Sequence, residues 1–535
     1  MRGRGLFYTN TWFSLAYPVL FARAGSRHGA TRRNNMTRYV MVADLDRCVG
    51  CQTCAAACRQ TNATPPGVQW RKVLDLEFGE YPDVHRVFVP VGCQHCADPP
   101  CMHVCPSTAT RRRDDGIVTI DYDLCIGCAY CAVACPYQAR SKVDKTVYAH
   151  GSEPTILERL QFDERHLGVS QKCTFCADRI DAGLARGLTP GVDADATPAC
   201  VNSCIAEALH FGDIEDPESN VSRLLAEKNQ FQMHEELGTN PGFYYLWNNR
   251  EKKDAAPDLR FGTTRQPNWD WRAAGNFMFG GTGGSLMFTA AAASFPERPS
   301  DVPGLVSLLI VGAGLALVWL EIGRPWRFLN VYFNPRTSWM TREAAAAVIL
   351  FVLALAGVGW DQPILIGLAG LAGLAFLYCQ TMMLRASKGI PAWRLPAISP
   401  LVISTGLSEG VGLFLLIFSL TAAAPDWLSY LLLALIVVRA YAWWNYQAKL
   451  AGANAAKAMR DVLTGMQRNM LIFGVALPAI LMLAAWGTPG AGLLLNSIAA
   501  ALVLLSGWYL KFTIVTRLAH LQGFALGQPR RLAAS

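Results

Sequence analysis

The sequence predicts a soluble α+β domain followed by an all-α bundle of eight transmembrane helices. The chain has 535 residues, 52% of them hydrophobic and 16% charged, which is too long for one domain and too apolar for a soluble protein. Sixteen of its seventeen cysteines fall between Cys48 and Cys204. Residues 271–516, in contrast, are almost continuous apolar blocks separated by short basic connections. Two regions of opposite solvent preference follow from this contrast.

The cysteines form four groups of four with regular spacing. The first and third groups read C-x2-C-x2-C-x3-C, the second has a longer middle gap that holds Pro99 and Pro100, and the fourth is split. This is the bacterial ferredoxin pattern, in which the fourth cysteine of a run ligates the other cluster of a pair. Sixteen thiolates therefore predict four 4Fe-4S clusters in a double ferredoxin-like domain, held by Cys48, Cys51, Cys54, Cys58, Cys93, Cys96, Cys101, Cys105, Cys125, Cys128, Cys131, Cys135, Cys173, Cys176, Cys200 and Cys204.

Two other uses of cysteine fit this pattern less well. A zinc site uses isolated C-x2-C pairs with tetrahedral closure and has no need for a run of three cysteines followed by a fourth. Disulfides need an oxidising compartment and would not repeat this spacing. The seventeenth cysteine, Cys379, stands alone in an apolar segment, where we expect it to pack between helices.

Composition along the chain predicts the segment boundaries. The first residues combine a basic start with a mediocre apolar stretch that polar residues interrupt, so we expect an upstream extension that need not be translated, with Met36 beginning the working protein. The sequence predicts five segments: the extension at 1–35, the cysteine-rich domain at 36–210, a packing and linker segment at 211–268, the membrane bundle at 269–520 and a tail at 521–535.

The membrane bundle is expected to hold the cysteine-rich domain on the cytoplasmic side of a bacterial inner membrane. Eight apolar segments are long enough to span a bilayer, at approximately 271–294, 303–321, 342–360, 363–384, 400–424, 426–447, 469–487 and 491–516. Eight spans place both ends of the bundle on one side. Fifteen Lys and Arg residues lie in the loops and tail of that side, and only Arg298 lies in the opposite loops. The positive-inside rule then makes that side cytoplasmic, where thiols stay reduced.

Histidine is nearly absent from the second half of the chain, where only His520 of the nine histidines lies. A bis-histidine haem would have no ligands there, so we expect no haem and a quinone as the electron carrier in the membrane. A quinone site needs hydrogen-bond donors and an ionisable group that exchanges protons. Polar residues at the cytoplasmic ends of the first four spans are the candidates, with interfacial anchoring or helix capping as the alternative for each: Asn276, Glu321, Arg342, Glu343 and Tyr378.

Other unusual residues inside the spans predict how the helices pack. Glu409 and Arg439 lie about two turns inside adjacent spans, where a charge costs about 2.5–3.5 kcal/mol on insertion scales. We predict that they form a structural ion pair, with a proton path as the alternative. The glycine-rich run from Gly280 to Gly284 is expected to let a neighbouring backbone approach closely.

Several stretches resemble one respiratory family. CVGCQTC, CQHCADPPCMHVCP and CIGCAYCAVACPYQAR make residues 36–210 similar to the four-cluster electron-transfer subunits of the dimethyl sulfoxide reductase family. WDWRAAGNFMFGGTGG and EIGRPWRF make residues 268–520 resemble, less specifically, the membrane anchors of the dimethyl sulfoxide reductase and polysulfide reductase type. In its wording the ferredoxin stretch is similar to phenylacetyl-CoA:acceptor oxidoreductase subunits, and cytoplasm-facing sulfite dehydrogenases share the architecture. The resemblance implies that the two parts are fused in this chain.

The resemblance implies a separate molybdopterin subunit that performs the substrate chemistry, with this chain as electron wire and membrane anchor and without catalytic residues in its soluble domain. We expect oxidation of a cytoplasmic substrate with quinone as acceptor, and no nucleic-acid partner. The family pattern also implies how the ligands are shared: Cys48, Cys51 and Cys54 with Cys204, Cys58 with Cys173, Cys176 and Cys200, and the same exchange between the second and third groups.

Two interpretations compete with this one. The first is a quinone-linked relay without a molybdenum partner, which feeds cytochromes or an ion-translocating complex. The second is a transporter gated by a redox domain, which is disfavoured because four clusters exceed what sensing needs. Neighbouring genes would discriminate between the main interpretation and the first alternative, since a molybdopterin subunit supports one and multihaem cytochromes the other.

Overall fold

The structure of the chain is a computed structural model, in which Met36–Ser535 forms one unit. It describes residues 37–161, 163–247, 260–297, 301–419, 424–452, 457–488 and 490–526. The expected extension at residues 1–35 lies outside the described residues.

The strands belong to the cysteine-rich domain and to its boundary with the helical bundle. Within the domain they are β1 (Tyr39–Asp44), β2 (Arg71–Glu80), β3 (Asp83–Gly92), β4 (Thr110–Arg112), β5 (Val118–Ile120), β6 (Ser141–Lys142), β7 (Ser170–Gln171), β8 (Leu209–Asp213), β9 (Gln230–Phe231) and β10 (Phe243–Leu246). At the boundary they are β11 (Arg260–Phe261) and β12 (Phe524–Ala525).

A four-stranded sheet in the order β8-β1-β10-β9 forms the base of the domain. All six residues of β1 are buried, and their apolar run YVMVA is typical of a strand covered on both faces. β1 pairs antiparallel with β8 and parallel with β10. The segment expected to be packing and linker therefore contributes to the sheet as far as Leu246, because its strand β10 completes the hydrogen bonding of β1.

Short helices follow the cysteine loops of the domain. They are α1 (Thr53–Asn62), α2 (Pro100–His103), α3 (Tyr130–Ala134), α4 (Ile156–Gln161), α5 (Ala177–Ala185), α6 (Ala199–Asn202) and α7 (Asn220–Glu227). The long hairpin β2–β3 and the smaller pairs β4–β5 and β6–β7 cover the loops between them.

The second half of the chain is helical. Its helices are α8 (Trp271–Ser294), α9 (Asp301–Glu321), α10 (Trp339–Gly359), α11 (Pro363–Ala386), α12 (Pro391–Arg394), α13 (Ile398–Ser419), α14 (Trp427–Gly452), α15 (Lys457–Leu471), α16 (Leu477–Gly487) and α17 (Gly492–Thr516). A π-helical turn at Ile472–Ala476 joins α15 to α16, and a 3₁₀ helix at Pro325–Phe333 lies between α9 and α10.

Within the described residues, seven helices are long and apolar enough to cross a membrane, so the chain is a multi-pass membrane protein. The sequence predicted eight spans. The difference lies in α8, which has 24 residues but is less apolar because it contains Arg272, Asn276 and a run of glycines.

Helix α8 lies inside the bundle, packed against α9, α11, α13 and α17. Its glycines allow this because a Cβ atom on Gly284 would lie 2.5 Å from the carbonyl oxygen of Gly373 in α11. The expected close approach of a neighbouring backbone is thereby confirmed.

The cysteine-rich domain meets the bundle at the end of α9. A Cβ atom on Gly168, whose φ is +66°, would lie 2.3 Å from the carbonyl oxygen of Gly323. The backbone N–H of Gly323 also donates to the carbonyl of Gly127 at 3.3 Å. Strands β11 and β12 pair antiparallel at the same boundary, tying the beginning of the bundle to its end.

Candidate metal centres and the adjoining membrane cavity

Each cysteine group lies in a loop that passes through left-handed backbone conformations. In the first group Gly50 has φ +70° and Gln52 φ +61°, and in the third group Gly127 has φ +74° and Ala129 φ +56°. His95 has φ +42° in the second group. Alternating backbone conformations of this kind turn successive N–H groups towards a common concavity, which suits a negatively charged iron–sulfur cluster.

Set A consists of Cys48, Cys51, Cys54 and Cys204. Burial raises the pKa of Cys48, and the neighbouring thiols of Cys204 and Cys51 raise it further. Burial also raises the pKa of Cys54 to about 11, with contributions from Cys48 and Cys204. Cys51 is exposed, so set A reaches the surface of the domain.

Set B consists of Cys58, Cys173, Cys176 and Cys200. Burial raises the pKa of Cys58, and the thiols of the other three members add to the effect. The side-chain amide of Asn62 lies 3.7 Å from Sγ of Cys58 and 3.9 Å from Sγ of Cys176. One amide of α1 therefore donates to two sulfurs of the same set.

Set C consists of Cys93, Cys96, Cys101 and Cys135. Burial raises the pKa of Cys96 well above its ordinary value, and the thiols of the other three members raise it further. Burial likewise raises the pKa of Cys135 to about 12, with Cys101 and Cys93 as neighbouring thiols.

Set D consists of Cys105, Cys125, Cys128 and Cys131. Burial raises the pKa of Cys128 well above its ordinary value, and the thiols of Cys131, Cys105 and Cys125 add to it. Sγ of Cys131 lies 3.2 Å from the hydroxyl oxygen of Ser170. The structure thus brings together, in sets A to D, the same four thiols that the family pattern groups around each cluster.

These surroundings fit iron–sulfur clusters. Buried thiols with raised pKa values stay protonated unless a positive charge replaces the proton, which iron supplies. Within the described residues no three Cys, His, Asp or Glu side chains converge on one metal ion. A 4Fe-4S cube does not require such convergence, because its four thiolates bind four separate iron atoms.

Set D lies against the membrane bundle. The side-chain amide of Asn334, in the loop before α10, donates to the carbonyl of Cys105 at 2.8 Å. The indole N–H of Trp269 donates to the carbonyl of Cys128 at 3.0 Å, one residue before the cap of α8. Arg327 donates to the carbonyl of Cys125 at 3.3 Å. Hydrogen bonds from the bundle therefore hold three of the four cysteine backbones of set D.

A cavity of about 560 Å³ opens between α9 and α10 beside set D. Asn276 and Glu343 are its buried polar residues, and the amide of Asn276 donates to Oε1 of Glu343 at 3.0 Å. The remaining lining is mostly apolar and includes Trp319. A second cavity of about 20 Å³ shares Asn276 and Glu343 with the first and is also lined by Cys128 and Glu321. The polar end of the large cavity therefore lies next to the sulfur ligands of set D.

Two of the predicted quinone residues lie away from this cavity. The guanidinium of Arg342 stacks over Trp339 at 4.2 Å from the ring centroid and donates to the carbonyl of Pro335. Tyr378 is 46% exposed and meets the other edge of Trp339, with ring centroids 5.7 Å apart. Arg342 and Tyr378 therefore line neither cavity, whereas Asn276, Glu343 and Glu321 come together.

Sequence reasoning missed Gln380 beside this site. It is fully buried in α11, and its amide donates to the backbone carbonyl of Asn276 at 2.9 Å. The signal that would have found it is an uncharged polar residue in the interior of a predicted span, two positions after Tyr378.

The predicted pair of Glu409 and Arg439 is wrong in its partner. Glu409 of α13 accepts from Nζ of Lys511 at 2.6 Å and from the hydroxyl of Thr282 at 2.7 Å. Arg439 of α14 instead donates to the hydroxyl of Ser506 at 2.6 Å. The reason is that α17, which carries Lys511, packs against α13 and supplies the nearer cation.

Comparison with known proteins agrees with the cysteine pattern. The family description "4Fe-4S dicluster domain" matches residues 84–152. An iron–sulfur subunit of a dimethyl sulfoxide reductase from Halobacterium salinarum is 42% identical over 39% of this chain and 79% of its own. A selenate reductase subunit from Mesobacillus selenatarsenatis is 40% identical over 40% and 73% of the two chains. A sulfite dehydrogenase subunit from Allochromatium vinosum is 35% identical over 42% and 88%.

Proposed function

Because this chain belongs to the family of the dimethyl sulfoxide reductase-type iron–sulfur electron-transfer subunits, we propose that it links a molybdopterin-containing catalytic subunit to the membrane quinone pool. Electrons pass through four 4Fe-4S clusters, and the helical bundle anchors the complex and binds the quinone. Relatives that are named as single subunits of a selenate reductase and of a sulfite dehydrogenase support a separate catalytic partner. The substrate chemistry then belongs to that partner.

Sets A to D each hold one cluster in this proposal. The clusters supply one-electron carriers, and the chain tunes them through hydrogen bonds to sulfur and through solvent access. Asn62 donates to sulfurs of set B, and Ser170 contacts a sulfur of set D. Set A, with the exposed Cys51, is the set that a partner subunit reaches, and set D adjoins the bundle.

The cavity between α9 and α10 is the proposed quinone site. Its volume of about 560 Å³ falls in the range of small-molecule pockets, and its apolar lining suits a lipid-soluble ring and tail. Asn276 provides a polar contact for a ring oxygen, and Glu343 provides an ionisable group that exchanges the proton. Glu321, in the adjoining small cavity, is a second carboxylate on the route towards set D.

One observation carries this assignment. Cys128 of set D lines the same small cavity as Asn276 and Glu343. An electron that leaves the fourth cluster therefore needs no further cofactor to reach a ring held by these two residues. Each quinone accepts two electrons and two protons, so a carboxylate at this position couples electron arrival to proton uptake.

The proposal includes α8 as an eighth membrane span. Its 24 residues measure about 36 Å at 1.5 Å per residue, and it lies inside the bundle. Eight spans place both termini on one side, and the basic residues make that side cytoplasmic. Lys511 leaves this count because it is buried within α17, but fourteen basic residues still stand against Arg298.

The test is cluster reoxidation by a short-chain quinone analogue in membranes that contain the complex, followed by electron paramagnetic resonance. We expect all reducible cluster signals to disappear on addition of the quinone. Clusters that stay reduced in the unaltered complex would contradict the quinone link while leaving the cluster assignment intact.

A further inference from the structure

Three cations are buried among the cysteine sets. Arg71 is 1% exposed, Lys172 is 0% exposed and Arg140 is 7% exposed, and none of them appears in an ion pair with a carboxylate within the described residues. A buried charge is costly unless a counter-charge or several hydrogen bonds compensate it. These three cations therefore need compensation from the groups that surround them.

Arg71 lies at the junction of sets A and B. Its guanidinium Nη2 is 4.0 Å from Sγ of Cys200 in set B, and the thiol of Cys54 in set A is also a neighbour. Its Nε and Nη1 have no hydrogen-bond partner among the described residues. The donors of Arg71 that remain free therefore lie among sulfur ligands of both sets.

Lys172 lies at the junction of sets B and C. Its charged neighbours are the thiols of Cys93 and Cys101 in set C and of Cys173 in set B. Its ammonium also donates to the carbonyls of Val118 and Cys173. Lys172 is thus tied to the backbone as well as to two cysteine sets.

Arg140 lies at the junction of sets C and D. Its charged neighbours are Cys101, Cys93 and Cys135 of set C and Cys131 of set D. One guanidinium nitrogen donates to the hydroxyl of Thr110 at 3.1 Å, and Nη2 has no partner among the described residues. The order of junctions is therefore A, Arg71, B, Lys172, C, Arg140, D.

We propose that Arg71, Lys172 and Arg140 are potential-setting residues, each of which stabilises the extra electron on the two clusters that flank it. The inference rests on the proposed four-cluster function. A cluster with four thiolate ligands is net negative, and its potential depends on surrounding charge, so a cation shared by two clusters raises both potentials. Sharing also keeps the two potentials close, because removing the cation affects both members of the pair.

Each transfer moves one electron from one cluster to its neighbour, with no bond broken and no proton required. One cluster is oxidised and the next is reduced, and the shared cation attracts the electron in both positions. The row of three cations thus provides a continuous favourable path from the surface set A to set D beside the bundle.

The experiment is a potentiometric titration of the purified complex, monitored by electron paramagnetic resonance. Arg140→Gln removes the charge between sets C and D, Arg140→Lys keeps it, and Arg112→Gln removes a charge from the exposed strand β4. We expect Arg140→Gln to shift the redox equilibria of two clusters at least tenfold towards the oxidised form, which is about 59 mV for a one-electron couple. The two other variants should leave these potentials within a few-fold of the unaltered complex.

The outcomes separate this inference from the proposed function. Fewer than four cluster signals in the unaltered complex would refute the four-cluster function itself. Four signals with unchanged potentials in Arg140→Gln, or an equal shift in Arg140→Lys, would overturn the inference alone. If Arg140→Gln loses iron, Arg71→Gln and Lys172→Gln test the two other junctions, and loss of clusters in all three variants would mean that the cations are structural and would also overturn it.

Discussion

Asn276 of α8 donates its side-chain amide to a carboxylate oxygen of Glu343 in α10 across 3.0 Å, beside a small cavity that Cys128 also lines. The carbonyl oxygen of the same Asn276 side chain has no hydrogen-bond partner among the described residues. This pair therefore joins two helices and leaves one acceptor for the hydroxyl of a quinol in the adjoining cavity.

Glu343→Gln should slow cluster reoxidation by a quinone analogue by about 10²–10⁴-fold, the usual contribution of one acid–base group. The amide of glutamine retains the shape and one acceptor, but it does not take up and release a proton. Stopped-flow reoxidation in membranes, with cluster content checked by electron paramagnetic resonance, measures the effect.

Arg342→Gln is the matched control for that variant. Arg342 is the preceding residue on α10, but its guanidinium stacks on Trp339 outside the cavity, so near-normal reoxidation is expected. Glu321→Gln should also slow reoxidation if protons pass through the smaller cavity. Normal rates in both glutamate variants would place quinone binding elsewhere in the bundle.

The purified chain should contain about sixteen iron atoms and no haem, because it has four complete cysteine sets and its bundle lacks histidine. Iron and acid-labile sulfide analysis and a search for a Soret band measure this. Cys379→Ser should leave the iron count unchanged, because Cys379 lies in α11 away from the sets, whereas Cys131→Ser should reduce it. An iron count near eight would contradict the four-cluster assignment.

Lys511→Met should destabilise the bundle by about 3–5 kcal/mol, because it leaves the carboxylate of Glu409 buried without its cation. The double variant Glu409→Gln with Lys511→Met should recover most of the loss. Heating in detergent, followed by size-exclusion chromatography of the remaining folded protein, ranks the variants. Lys449→Met, at an exposed position of α14, is the control and should behave as the unaltered chain. Equal stability of Lys511→Met and the unaltered chain would show that the pair contributes nothing.

The iron–sulfur domain should be cytoplasmic. A green fluorescent protein fused after Ser535 should fluoresce, and alkaline phosphatase at the same position should be inactive, because fourteen basic residues lie on that side. The control is a pair of the same fusions after Gln362, between α10 and α11, which should give the opposite result. Active phosphatase at the C-terminus would reverse the assigned topology.

Much of the cysteine-rich domain could be predicted because ligand spacing is a local property of the sequence. A run such as Cys125 to Cys135 must form a tight loop and a short helix, and the structure has both at Gly127, Ala129 and α3. The boundary of the domain was less predictable. Strand β10 carries no ligand, and its parallel pairing with β1 is a contact between residues about two hundred positions apart.

The polar residues of the bundle show the same limit. Hydropathy locates a span to within a few residues, but it does not specify which face of the helix turns inward. Arg342 and Glu343 are neighbours in sequence, yet successive residues of an α-helix point about 100° apart, so one stacks on Trp339 and the other lines the cavity.

The sequence by itself determined the chemistry of this protein, because four-cysteine runs and long apolar segments have few other physical uses. Only the tertiary structure decided which groups meet. Glu409 pairs with Lys511 across α13 and α17 rather than with Arg439, the nearer residue in sequence, because helix packing and not chain order sets the distance between side chains. Likewise, only folding brings Arg71, Lys172 and Arg140 between the cysteine sets, since each set draws its ligands from distant parts of the chain.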